Sequence, residues 1–146
     1  MSSTSSVRPP RDLSAPVAVV LLNWNGANDT FATIASLERS SAWGQMRPMI
    51  VDNGSRDDSV ARFRRDRPEI PVVETGANLG FAGGNEVGIR RALEDAAIGW
   101  VLLLNTDVEV DPEFLAPLLE ACADRQVGAA GPKIFYFDPP DRLWAA

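Results

Sequence analysis

Val17-Ala18-Val19-Val20-Leu21-Leu22 is an unbroken β-branched and aliphatic run that stops at Asn23-Trp24-Asn25. A half-exposed strand alternates apolar and polar residues, whereas this one has no polar position, the pattern of a strand covered on both faces. Such strands belong to parallel sheets with a helix in each crossover. The next apolar runs should therefore alternate with helical stretches. Met49-Ile50-Val51 gives a second strand, closed by the turn signal Asp52-Asn53-Gly54, and Val72-Val73-Glu74 a third. Trp100 to Leu104 is the most hydrophobic and is expected at the sheet centre. Val127 to Ile134, broken by Gly131-Pro132, is the last candidate.

Between the strands lie helical patterns. Asn28 and Asp29 are suited to capping a helix with Phe31, Ile34, Ala35 and Leu37 on one stripe. Ser55 and Asp58 resemble a capping box ahead of Val60 and Phe63. After the glycine cluster Gly80 to Gly84 a helix is predicted with Ile89, Ala92, Leu93 and Ala96 on one face. Asp111-Pro112 reads as N-cap and first turn of a helix burying Leu115, Leu118, Leu119 and Cys122. Pro117 should kink that helix or be confined to its first turn. The order β-α-β-α-β-α-β-α-β predicts an α/β fold, an open parallel sheet with helices on both faces.

Composition removes several kinds of chemistry. The 146 residues fit one domain, residues 17–146, preceded by a Ser/Pro/Arg-rich tail over residues 1–16 that is expected to be flexible. With 20 Asp and Glu against 14 Lys and Arg, the formal charge of −6 argues against nucleic acid as a partner. There is no histidine and one cysteine, Cys122, which excludes Cys/His zinc sites, Ser-His-Asp triads and disulfide frameworks. The N-terminus lacks the apolar stretch of a signal peptide. The run from Val17 to Leu22 is far shorter than the ~20 residues of a membrane helix. A cytoplasmic protein is expected, with membrane association only through residues missing from this chain.

In open parallel sheets ligands bind beyond the carboxyl ends of the strands. Each predicted strand here runs into a polar segment: Asn23-Trp24-Asn25, then Asp52-Asn53-Gly54-Ser55, then Asn78-Leu79-Gly80-Phe81-Ala82-Gly83-Gly84-Asn85, then Asn105-Thr106-Asp107. Turn-forming propensity explains each segment singly; four at one rim point to a site. Neither the phosphate-binding G-x-x-x-x-G-K-[ST] nor the dinucleotide G-x-G-x-x-G is present. A nucleotide held through a metal remains. Asp107, at the end of a buried strand, suits Mg²⁺ or Mn²⁺ shared with diphosphate oxygens. Asp52 is suited to accept a hydrogen bond from N3–H of uracil or thymine, or from guanine N1–H. Trp24 reads equally as a platform for base or sugar and as core.

These loops, in this order, resemble family 2 glycosyltransferases of the GT-A fold, and in particular their rhamnosyltransferase-like branch. The resemblance runs from Val17 to Ala146 and covers the N-terminal, donor-binding half. It implies a Rossmann-like, mostly parallel sheet, C-terminally truncated here. It implies that Asp52 reads the nucleobase and Asp107 ligates the metal. It further implies that Asn23, Trp24, Asn25, Asn53, Ser55, Asn78, Gly80, Phe81, Gly83, Asn85 and Asn105 bind the nucleotide-diphosphate sugar. Leu104-Asn105-Thr106-Asp107 matches the family's D-x-D motif with an amide at the first position, so metal binding should lean more on the diphosphate.

The implied reaction moves a sugar, with inversion, from a UDP- or dTDP-linked donor, dTDP-rhamnose among them, to a hydroxyl of a saccharide or glycolipid acceptor. The catalytic base is expected beyond Ala146, Glu109 and Asp111 being read as strand end and helix cap, so this chain alone should be inactive. A non-catalytic nucleotide-sugar-binding module is the alternative. A nucleotidyltransferase fits less well, for want of a glycine-rich basic loop after the first strand.

Overall fold

The computed structural model describes residues 11–145. Residues 1–10 of the expected tail lie outside the described residues. Of its remainder, Arg11 donates to the carbonyls of Cys122 and Val127 at 2.7 and 2.6 Å. The Ala15 carbonyl accepts from Gln45 at 2.9 Å and that of Pro16 from Gly99 at 3.0 Å. The described residues form two compact units, one of residues 14–113 and one of residues 11–13 with 114–145.

The larger unit holds strands β1 (Val17–Asn23), β2 (Met46–Asp52), β3 (Val72–Glu74) and β4 (Trp100–Leu104). All pair in parallel, in the order β3-β2-β1-β4. Helices α1 (Ala27–Glu38), α2 (Ser59–Asp66) and α3 (Gly80–Ala92) form the crossovers. On one face Ile34 and Leu37 of α1 and Phe63 of α2 are fully buried, and Phe31 meets Phe63 edge-on at 5.2 Å. On the other face α3 packs on β1 and β2, where Ala18, Val20, Met49, Val51 and Ala92 form a core cluster. The order of connection reverses at β1, with β2 and β3 on one side of it and β4 on the other, which places a crevice at the carboxyl end of β1.

Several expectations are corrected. Trp100–Leu104 is not central: among the described residues β4 pairs only with β1, at the edge of the sheet, and Leu103 is 43% exposed. Apolarity reports that a strand's faces seek cover, not how many strands flank it. The centre belongs to β1 and β2. Residues 127–133 form no strand, and Ile134–Phe135 (β5) pairs antiparallel with Leu143–Ala145 (β6) in a separate two-stranded sheet. Pro132, without an N–H, interrupts the run before it can join a ladder.

Helix starts also differ. Gly26 occupies the N-cap of α1, Asn28 and Asp29 lie in its first turn, and Ala35 is exposed. The buried face instead includes Thr30, Thr33 and Ser36. Asp58 is the N-cap of α2, while Ser55 turns toward Asp52. Gly80 to Gly84 is no loop but the first turns of α3, which ends at Ala92 and leaves Leu93 63% exposed. A Cβ on Gly84 or Gly88 would lie 2.4 Å from Leu22 or Val20, so these glycines let α3 settle onto the strands. In the smaller unit α4 spans Leu115–Ala121 with Phe114 at its N-cap. Pro117 therefore falls in the first turn, where N–H groups have no partner in the helix, and it costs little. Leu115, Leu119 and Cys122 are buried; Leu118 is partly so.

Candidate donor-binding site

At the carboxyl ends of β1 and β2, Asn23 and Asp52 are register partners. Both are buried, at 0% and 2% exposure. The Asn23 amide donates to Asp52 Oδ1 at 2.9 Å and to Ser55 Oγ at 3.1 Å, while its oxygen accepts from Thr30 Oγ1 at 3.0 Å. Ser55 donates its hydroxyl to Asp52 Oδ1 at 2.5 Å and its backbone N–H to Oδ2 at 2.9 Å. Three donors therefore hold a buried carboxylate. Hydrogen-bond donors offset part of the cost of burying a polar group.

The surrounding loops are cross-tied. Asn25, in the left-handed region at φ 54°, donates its N–H to Ser55 Oγ at 2.9 Å and accepts from the Arg56 N–H at 2.8 Å. Asparagine tolerates this conformation better than most residues. Asn53 is buried and donates to Asn78 Oδ1 at 3.2 Å and to the Gly80 carbonyl at 3.1 Å. It also accepts from the Leu79 N–H at 3.0 Å. Gly54 adopts φ +75°, and a Cβ there would meet the Ala77 backbone at 2.5 Å. Only glycine satisfies both constraints.

These loops wall a cleft of about 650 Å³. Of the residues predicted for the site, Trp24, Asn25, Asp52, Ser55 and Asn78 line it. Trp24 is 58% exposed, which removes the core reading of that residue. Asn23 and Asn53 lie buried with their polar groups bonded to the loops. Gly80, Phe81, Gly83 and Asn85 belong to the first turns of α3; Phe81 is 63% exposed, and Asn85 is buried with its amide on the Phe81 carbonyl at 2.9 Å. Asn105 and Asp107 are exposed beyond the end of β4 and are not among the residues lining the cleft.

Sequence reasoning missed Arg56 and Glu74, which also line the cleft, and Thr30 behind Asn23. Glu74 ends β3, so reading what terminates each strand would have found it. It pairs with Arg64 at 2.5 Å. Glu109 pairs with Arg39 at 2.5 Å, and Asp111 accepts from the Glu113 N–H at 2.8 Å rather than capping α4. Among the described residues no group of three Asp, Glu or Cys side chains is placed to hold a metal ion. The donors at the end of β4 are one exposed carboxylate, Asp107, and the Asn105 amide. These hard oxygen donors fit Mg²⁺ or Mn²⁺ when diphosphate oxygens complete the shell. Among the described residues no helix is long and apolar enough to cross a membrane.

A parallel sheet with a strand-order reversal and a polar cleft at its carboxyl rim is an α/β fold with a site at its switch point. Its likeness to solved glycosyltransferase structures makes it one of the GT-A type. The sequence matches the model of glycosyl transferase family 2 over residues 18–146, and the chain belongs to that family. A protein of Mycobacterium tuberculosis described as uncharacterised is 37% identical over 103 residues, which is 70% of this chain and 35% of that protein. The N-acetylglucosaminyl-diphospho-decaprenol L-rhamnosyltransferase of M. tuberculosis is 31% identical over 94 residues, or 59% of this chain and 31% of that protein. This relative accords with the rhamnosyltransferase-like resemblance of the loops. The chain thus spans about a third of the length of the curated relatives it matches.

Solved structures carry the same fold. Staphylococcus aureus TarS residues 1–349 in complex with UDP gives a TM-score of 0.57 at 19% identity, covering 74% of this chain and 31% of that one. The mannosyltransferase PcManGT of Pyrobaculum calidifontis, in complex with GDP-Man and Mn²⁺, gives 0.53 at 19% identity, covering 88% and 35%.

Proposed function

We propose that residues 17–146 form the donor-binding part of an inverting glycosyltransferase that takes its sugar from a UDP- or dTDP-linked donor, dTDP-rhamnose among the candidates. The observation that carries this reading is the environment of Asp52. A carboxylate has roughly four acceptor sites. Two on Oδ1 are taken by Asn23 and the Ser55 hydroxyl, and one on Oδ2 by the Ser55 N–H. One acceptor site on Oδ2 is left for a ligand in the cleft. Uracil and thymine offer a single donor, N3–H, between two acceptors. Guanine offers N1–H and an adjacent amino group, two donors for one acceptor. The arrangement favours a pyrimidine, with Trp24 exposed at the rim to cover base or sugar.

Asp107 and Asn105 are the residues that would hold Mg²⁺ or Mn²⁺, and the bound ion would offset the charge that develops on the departing diphosphate. The acceptor, a saccharide or glycolipid hydroxyl, needs a carboxylate to take its proton. Glu109 is ion-paired and Asp111 holds a backbone N–H, so we assign the base to a residue outside this chain. The chain alone then binds donor without transfer. Titration calorimetry with UDP, dTDP and GDP tests the reading. Both pyrimidine nucleotides should bind more tightly than GDP, with affinity lowered by chelator. Preference for GDP would overturn the nucleobase assignment, and indifference to chelator the metal assignment.

A further inference from the structure

Beyond Asp107 the chain continues in a segment, residues 108–113, that belongs to no helix or strand yet runs along α1. Half-buried Val108 and Val110 alternate with exposed Glu109 and Asp111, the two-residue repeat of extended backbone. Thr33 Oγ1 donates to the Val108 carbonyl at 2.8 Å. Ser36 Oγ donates to the Thr33 carbonyl at 2.7 Å and accepts from the Val110 N–H at 3.2 Å. Just past the helix, Ser40 Oγ donates to the Pro112 carbonyl at 2.8 Å. Thr33 and Ser36 are each 1% exposed.

The match is geometric. From Thr33 to Ser36, both within α1, the helix axis rises about 4.5 Å at ~1.5 Å per residue. From Val108 to Val110 a chain with this alternation advances about 6.6 Å at ~3.3 Å per residue. The Thr33 and Ser36 hydroxyls, three residues apart on one helix stripe, therefore meet Val108 and Val110, and Ser40, past the helix end, meets Pro112. Buried hydroxyls need partners, and here they include backbone groups of a stretch that pairs with no strand among the described residues. The bond to the Val108 carbonyl lies one residue from Asp107.

We propose that Thr33 and Ser36 are positioning residues for Asp107: they fix the backbone that succeeds it and so hold its carboxylate where a divalent cation and a diphosphate meet. The inference rests on the metal role given to Asp107 above. Outer groups that orient a metal ligand typically change metal affinity 10–100-fold when removed. Thr33→Val keeps the shape and removes the hydroxyl. Mn²⁺ bound in the presence of UDP, followed by electron paramagnetic resonance of the free ion, should weaken about tenfold in Thr33→Val, with Thr33→Ser restoring it. Uridine monophosphate binding without metal, which reports the Asp52 cleft, should stay within about twofold of the parent under the same logic.

Equal loss of both ligands in Thr33→Val would mark a merely structural role and overturn the inference. So would unchanged Mn²⁺ affinity in Thr33→Val while Asp107→Ala abolishes it. Unchanged Mn²⁺ affinity in Asp107→Ala would instead remove the metal reading, and the inference with it. Ser36→Ala, which frees the Val110 N–H, reads the same strap where Thr33→Val does not fold; it should weaken Mn²⁺ and spare the monophosphate, and any other pattern counts against the proposal.

Discussion

The Asn23 amide and the Asp52 carboxylate meet 2.9 Å apart at the paired ends of β1 and β2, both beneath the surface. Amide, hydroxyl and backbone N–H groups hold this carboxylate, and none of the three carries a charge. The chain thereby keeps an oriented acceptor at the floor of its cleft.

That arrangement makes Asn23 intolerant of its nearest isostere. Asn23→Asp would place two buried carboxylates in contact and force one to hold its proton, raising its folded pKa above the ordinary ~3.9. A raised folded pKa means that the protein is least affected below about pH 4 and loses stability as pH rises through the raised value. Denaturant midpoints should fall far more at pH 7.5 than at pH 4 relative to the parent. A pH-independent difference would show that the two side chains do not share a buried site.

Asp52→Asn keeps the shape and removes the charge. Its new amide N–H₂ would face the Ser55 donors or the ligand, so UDP and dTDP affinity should drop by about 1–3 kcal/mol, the range for a charge-assisted hydrogen bond. Calorimetry at matched metal concentration measures it. Affinity equal to the parent's would show that Asp52 braces the loops and does not touch the base.

The legibility of fold and site in the sequence depends on the physical quantity each signal encodes. Continuous apolarity in Val17–Leu22 reports burial on both faces, and it located a strand at the heart of the sheet. The same signal in Trp100–Leu104 could not say that the order reverses after β1, since adjacency is a property of the whole chain. Polar residues at strand ends gave Trp24, Asn25, Asp52, Ser55 and Asn78 of the cleft wall. Their neighbours Asn23 and Asn53 look alike in sequence yet are buried braces, because the strand pleat and the turn decide which amide faces the cleft. The glycines of Gly80–Gly84 read as loop by propensity, but packing decides otherwise when a helix must approach the strands closely. The hydroxyls of Thr33 and Ser36 gave no apolar signal at all, although their spacing matches the face carrying Ile34 and Leu37.

The close approach of α3 can be tested directly. A methyl at Gly88 would fall 2.4 Å from Val20 Cγ1 and 3.0 Å from Val51 Cγ2, both on central strands. Alanine has the better helix propensity by about 1 kcal/mol. Overpacking typically costs about 1–3 kcal/mol and occasionally more. Two fixed β-branched neighbours leave the helix to move, so Gly88→Ala should be net destabilising in a denaturant melt. Gly128→Ala, with no atom within 4 Å of the added carbon, is the control and should change stability little.

Trp24 separates binding from folding. The side chain is 58% exposed at the cleft mouth, so its removal uncovers little core. Stacking of an aromatic ring on a base contributes about 1–3 kcal/mol by alanine substitution. Trp24→Ala should therefore weaken UDP and dTDP binding by about 1–2 kcal/mol within that range, with a melting temperature close to the parent's. Trp24→Phe, which keeps a smaller ring, should fall between the two. The ordering Trp, Phe, Ala in affinity with flat stability is the signature of a ligand platform. A fall in stability that parallels the fall in affinity would instead assign Trp24 to holding the Asn23–Asn25 turn.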